Sequence, residues 1–207
     1  MGVGRGAEDD DYIHRLHRLF AGQAMDADIV PPAYPLVDDG RCRDAAVLIP
    51  LIRGDGRNGS RLLLTRRTDT LRSHAGQVAL PGGTCDPEDC DPVATALRES
   101  QEEIGLPPSA VEIIGQLAPV RLPSGYRVTP VVGLVSPTIK LRPAPAEVAA
   151  IFQPPSSLVL NPGNYRKFSM TYRDRPREVL ELYYREFRIW GATAAILHGL
   201  GEKLKHL

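Results

Sequence analysis

The sequence is poor in cysteine, in long apolar runs and in charge of one sign. Three cysteines, Cys42, Cys85 and Cys90, stand among 207 residues with no CxxC spacing. They form neither an even disulfide set nor a cysteine metal pattern, so free thiols in a reducing compartment are expected over a redox or zinc site. Apolar stretches such as "AAVLIPLI" are far too short to span a bilayer, so no membrane partner is expected. The acidic opening "MGVGRGAEDDDY" lacks the apolar core of a secretory signal, and a cytoplasmic location is the expectation. Lys plus Arg and Asp plus Glu number 25 each, so no global basic field favours nucleic acid. No nucleic-acid partner is expected.

What is present is an ordinary globular composition, 43% hydrophobic and 24% charged, suited to one domain with elaborated ends. "DYIHRLHRLF" sets Ile13, Leu16, Leu19 and Phe20 at helical spacing, with His14 and His17 read as exposed neighbours of a packing stripe. "DIVPPAYPLVDDGRCR" reads as a linker that its prolines keep out of helix. Residues 1–40 are therefore expected to be a helix and linker packed on a domain of residues 41–207. "AAVLIPLIR" and "RLLLTRR" look like two strands joined by the exposed loop "GDGRNGS". "GQVALPGG" is a short extended segment. Strands are expected again in "VEIIGQLAPV", "RVTPVVGLV", "FSMTYR" and "LELYYREFRIW", with "VAAIF" as a short apolar patch. A helix from about Ala192 to Leu204 should close the chain. Its "WGATAAILHGL" suits core packing, the expected role, or a face of a homodimer. Strands mixed with a few helices, without regular alternation, imply an α+β or layered α/β/α domain.

"DPVATALRESQEEIG" predicts a helix with Asp91 as N-cap, Pro92 in the first position and Gly105 as its stop. Glu99, Glu102 and Glu103 crowd its C-terminal half, where both the peptide dipole and mutual repulsion oppose them. At about 100° per residue the three share a sector of about 100°, away from Val93, Leu97 and Ile104. The apolar side can pack on a sheet while the acids look into a cleft, and Arg98 can reach Glu102 across one turn. Clustered carboxylates suit a hard divalent cation, Mg²⁺ or Mn²⁺. Gly82 and Gly83 just upstream allow a tight turn and an unshielded carbonyl ligand.

The segment from Gly83 to Leu106 resembles the Nudix box, G-x5-E-x7-R-E-U-x-E-E-x-G-U. Arg98, Glu99, Glu102, Glu103, Gly105 and Leu106 match in register. Ser100 replaces a bulky apolar residue, and the loop before Arg98 is one residue longer than the pattern. Counting back from Arg98 puts Cys90 at the first Glu of the box, counting forward from Gly83 puts Asp89 there, and Asp86, Glu88 and Asp89 are the loop acids available. "LLLTRRTDTLRSHAGQVALPGG" is similar to the signature of the coenzyme A pyrophosphatase branch, with Leu63, Leu64, Thr65, Arg67, Arg72, Gly76, Pro81, Gly82 and Gly83 at matching spacing and Thr68 and Leu80 departing mildly.

The resemblance implies a Nudix-type α/β/α sandwich around a mixed β-sheet. It implies metal-dependent cleavage of coenzyme A or its thioesters to 3′,5′-ADP and 4′-phosphopantetheine. Glu99, Glu102, Glu103 and the Gly82 carbonyl would hold Mg²⁺ or Mn²⁺, with Arg98 orienting them. Glu102 and Glu147 are alternative proton acceptors. Arg67, Arg72, His74 and Tyr126 are the expected substrate contacts, arginine's planar fork suiting phosphate. Two other readings compete: a Nudix enzyme for ADP-ribose, NADH or another dinucleotide, and a noncatalytic nucleotide sensor.

Overall fold

A computed structural model describes residues 5–21, 42–55, 58–71, 73–172 and 175–207, with backbone alone for 5–11 and 175. The chain runs α1 (Arg5–Ala21), β1 (Arg43–Ile52), β2 (Arg61–Leu62), β3 (Leu64–Arg67), β4 (Val78–Ala79), β5 (Gly82–Thr84) and α2 (Pro92–Ile104). It continues through β6 (Val111–Gln116), β7 (Val120–Arg121), β8 (Tyr126–Val135), β9 (Val148–Phe152) and α3 (Ser156–Val159). A meander of β10 (Arg166–Tyr172), β11 (Arg175–Tyr184) and β12 (Phe187–Trp190) leads into α4 (Gly191–Lys205). The "VPPAYP" linker lies outside the described residues.

The central sheet has the order β2-β1-β8-β6, with β5 on β1 and β7 on β8. It is mixed, because β1 and β8 run parallel from Arg43↔Tyr126 to Ile52↔Val135 while the other pairs are antiparallel. The continuous apolar run of β1 fits a strand covered on both faces. Ala45, Ile49 and Leu51 face a core with Leu16 and Leu19 of α1 and Leu197 and Leu200 of α4. Ala46, Leu48 and Ile52 face Ala96 and Ile104 of α2. Period-two alternation thus builds an α+β domain of α/β/α layers.

"RLLLTRR" does not form one strand. Leu62 pairs with β1, Leu63 donates its amide to the Pro50 carbonyl, and Leu64 onward pairs with β9 and β4 in a second sheet. β9 is the "VAAIF" patch, made a strand by a partner over eighty residues away in sequence, which its own short pattern could not announce. "LELYYREFRIW" is likewise two strands. Tyr184 pairs with Phe187 across a two-residue turn in which Arg185 takes φ 54°, without the Gly or Asn that usually marks such a hairpin. The final helix buries Ala194 to Leu197, Leu200 and Leu204 in the core, as expected. Among the described residues no helix is long and apolar enough to cross a membrane.

Candidate metal and catalytic site

The caps of α2 form as its sequence dictates. Asp91 Oδ1 accepts from the Ala94 amide at 2.8 Å, Pro92 follows, and Gly105 ends the helix in the left-handed region at φ 66° with its N–H on Gln101. Ser100, where the box has a bulky apolar residue, is wholly buried. Its Oγ donates to the Ala96 carbonyl at 2.6 Å, which satisfies the hydroxyl inside the core. The helix thereby lies flat on the sheet and turns its glutamate edge toward β5 and the end of β3.

The three glutamates share an edge but differ in depth: side-chain exposure is 62% for Glu102, 18% for Glu99 and 6% for Glu103. Arg98 Nη1 donates to Glu99 at 3.0 Å and to Glu102 at 3.2 Å, so the expected one-turn contact forms. Its other edge, Nε and Nη2, grips both oxygens of Asp89 at 3.1 and 3.0 Å, and Nη2 also reaches the Thr84 carbonyl. Asp89 accepts in addition from Thr95 Oγ1 and the Asp86 amide. Of the loop acids, Asp89 holds the arginine by two hydrogen bonds, and Asp86 Oδ2 stands 3.6 Å from its Nη2. Counting forward from Gly83 reaches Asp89, but the sequence did not separate it from Asp86 and Glu88; Thr84 and Thr95 carried no signal in the sequence.

Glu103 has far less support. The Gly82 amide donates to its Oε2 at 3.2 Å, and Arg67 Nη1 stands 3.6 Å from its Oε1. Burial pushes its carboxyl up to about 7, with the charges of Glu99 and Glu147 adding to the rise against the help of Gly82 and Arg67. Glu99 is also raised, first by burial, with Glu102 and Glu147 adding and Arg98 opposing. Asp89, by contrast, is held well below the usual carboxylate range by its hydrogen bonds from Arg98. The segment that carries Glu147, just before β9, is bonded to the Glu103 carbonyl through Ala144 and to the Thr68 amide through Glu147, so it runs beside the acid pair whose carboxyls its charge raises.

The donor set fits a divalent cation in kind. Carboxylate charge from Glu99, Glu102 and Glu103 is gathered beside Arg67 and an Arg98 that is shared with Asp89, and a cation relieves the remaining imbalance. Gly83 leaves the space: a Cβ there would stand 2.5 Å from the Glu99 carboxyl. Among the described residues no three His, Cys, Asp or Glu side chains form a ready-made cage. Arg98 and Gly82 hold oxygens that metal binding would share or release.

Arg67 ends β3 at an irregularity in the β3–β9 register, and its Nε is buried without a hydrogen-bond partner. His74 lies in the β3–β4 loop at φ 57°, its Nδ1 2.9 Å from Gln77 Oε1, and is exposed. Tyr126 opens β8 on the sheet face opposite α2, packed against the α1 and α4 core. Structure thus brings together Arg67, Gly82, Arg98, Glu99, Glu102, Glu103 and Glu147, and leaves His74 and Tyr126 outside that group. Arg72 lies outside the described residues. A separate cavity of about 450 Å³ opens at the N-terminal end of α2 beside Asp44, Pro92 and Arg127; its lining includes neither Glu103 nor Arg67.

The NUDIX domain model matches residues 43–173. A protein of Photorhabdus laumondii named uncharacterized Nudix hydrolase NudL is 46% identical over 175 residues, 84% of this chain and 91% of that one. Its namesake in Escherichia coli K12 is 46% identical over 162 residues, 78% of this chain and 83% of that one. Among solved structures, the Nudix hydrolase RenU of M. smegmatis is 24% identical over 56% of this chain and 73% of its own, with a TM-score of 0.48. A domain match across most of the chain, joined to relatives of this identity along most of their length, places the chain in the Nudix hydrolase family, pyrophosphohydrolases of nucleoside diphosphate derivatives.

Proposed function

We propose that this Nudix hydrolase cleaves the pyrophosphate of coenzyme A or its thioesters, giving 3′,5′-ADP and 4′-phosphopantetheine or its acyl form. One observation carries the reading: Arg67, from the segment similar to the coenzyme A branch signature, reaches the buried Glu103 of the metal helix while its own Nε stays unpartnered. A phosphate oxygen is the acceptor that guanidinium edge lacks.

Glu99, Glu102, Glu103 and the Gly82 carbonyl would hold Mg²⁺ or Mn²⁺. Such an ion neutralises phosphoryl charge and lowers the pKa of its bound water. Arg98, fixed by Asp89, keeps Glu99 and Glu102 oriented. Glu147 is the preferred proton acceptor, because its segment is bonded to the backbone of Glu103 and to the residue after Arg67, while Glu102 is the most exposed of the three box glutamates and is tied to Arg98. Arg67 and Arg72 bind phosphate. His74 and Tyr126 are candidates for contacts with the remainder of a long substrate, and a homodimer is compatible with this function.

The test is turnover of coenzyme A, acetyl-coenzyme A, ADP-ribose and NADH with Mg²⁺, Mn²⁺ or chelator. Metal-dependent release of 3′,5′-ADP, lost in Arg67→Met, is the expected result. Preference for ADP-ribose or NADH would refute the substrate assignment, and binding without turnover would favour a sensor.

A further inference from the structure

The segment between β8 and β9 is tied down at both ends by hydrogen bonds that no helix or sheet requires. The Arg142 amide donates to the Ile104 carbonyl at 2.9 Å and the Ala144 amide to the Glu103 carbonyl at 2.8 Å, so this segment caps the C-terminal end of α2. Three residues later it crosses to the end of β3. The Thr68 amide donates to the Glu147 carbonyl at 2.9 Å, and Thr68 Oγ1 donates to the Ala146 carbonyl at 3.1 Å. Within the segment the Glu147 amide donates to Ala144 at 3.0 Å, closing a turn. Thr70 Oγ1 lies 3.2 Å from Thr68 Oγ1, placed to donate to it and leave the Thr68 proton for Ala146.

Residues 142–147 therefore form a strap from the backbone of Glu103 to the residue that follows Arg67. Pro143 and Pro145 restrict its backbone further. Its last member is Glu147. A carboxylate on a connecting segment has no regular ladder to fix its reach, and here the Thr68 amide and hydroxyl grip the two successive carbonyls of Ala146 and Glu147.

We infer that Thr68 is a positioning residue for the hydrolysis, its hydroxyl setting the distance of Glu147 from Glu99 and Glu103. This rests on the proposed role of Glu147 as proton acceptor. Thr68 touches no substrate in this account. It acts through the peptide of Glu147, and serine preserves the bond while valine removes it at nearly constant shape.

The experiment compares Thr68→Val, Thr68→Ser, Glu147→Gln and the Thr68→Val/Glu147→Gln pair on whichever of coenzyme A, ADP-ribose or NADH the wild type turns over fastest with Mn²⁺. Amide exchange of residues 144–148 is followed by mass spectrometry in the same proteins. Thr68→Val should lower kcat about tenfold with KM within about twofold, a modest case of misplaced catalytic groups. Thr68→Ser should restore kcat to within about twofold. In the pair, the valine should add no further loss, because the group it positions is gone. Exchange should quicken in Thr68→Val and stay at the wild-type rate in Thr68→Ser.

A wild-type kcat in Glu147→Gln would sink the role of Glu147 and this inference with it. A crippled Glu147→Gln beside a fully active Thr68→Val, or losses that multiply in the pair, would overturn the positioning role alone. Unaltered exchange in Thr68→Val would overturn it even in a protein that turned over none of the three substrates.

Discussion

Asp89 and Glu103 sit at opposite ends of α2, are both nearly inaccessible, and meet opposite electrostatic conditions. Asp89 receives the Nε–Nη2 edge of Arg98 on its two oxygens, a threonine hydroxyl and a backbone amide, and ionises more readily than a free carboxyl. Glu103 receives one amide and a guanidinium at 3.6 Å, and its carboxyl is pushed up to about 7. A carboxylate that the fold uses for itself is given its partners in full. One left short of partners is held for something the fold does not contain, and it lowers the stability of the protein until that arrives.

The largest effect expected from breaking this contrast is on catalysis. Glu103→Gln should reduce kcat roughly 10²–10³-fold, the scale of losing one preorganised charge at a reacting phosphoryl group, measured with Mn²⁺ at saturating substrate. The same variant should be more stable than wild type when metal is chelated at pH 8. The sign follows from the raised carboxyl: between about pH 4.5 and about 7 the native state binds the proton more tightly than the unfolded one, so wild-type stability falls as pH rises through that window. Removing the titration should recover on the order of 2–3 kcal/mol in chelator, read by urea unfolding.

Arg98→Met should do the reverse, because it strips partners from Asp89, Glu99 and Glu102 together. A loss of about 2–3 kcal/mol in urea unfolding is expected, with lower activity. Unchanged stability would mean that the fork contributes nothing to the fold. Asp89→Asn sharpens the comparison through pH. A depressed native carboxyl adds stability that is fully present above about pH 4, the ordinary Asp range, and lost as pH falls below it. The variant's stability should therefore fall less than wild type's between about pH 5 and 2, in urea titrations at stepped pH. The smallest effect belongs to Asp91→Ala, which removes one N-cap bond at about 1 kcal/mol, seen as a lower melting temperature with kcat within about twofold.

Local rules made much of α2 readable in advance. Its cap, its stop, the Arg98 to Glu102 contact and the separation of acidic from apolar sides all depend on residues within one or two turns. The Nudix box and the composition also pointed to the mixed α/β/α architecture. Elements fixed by distant partners were hidden: β9 is a strand because β3 lies beside it, and the break at Leu63 follows from two sheets competing for one apolar run. The Arg185 turn escaped because its sequence carries no turn residue. The loop of one extra residue left Asp86, Glu88 and Asp89 undivided in the sequence, and only the folded guanidinium, closed on both oxygens of Asp89, distinguishes among them.

The sequence by itself determined which chemistry the chain can perform, since carboxylates at helical spacing, an intervening arginine and a glycine pair are local facts of covalent order. Tertiary structure alone decided how each of those identical side chains behaves. Glu102 stays in water, Glu99 is mostly withdrawn beside Arg98, and Glu103 is buried behind β5, because burial and charge are set by atoms brought in from β3, the 142–147 strap and β5. Desolvation and Coulomb interaction depend on distance in space, and a position along the chain does not contain that distance.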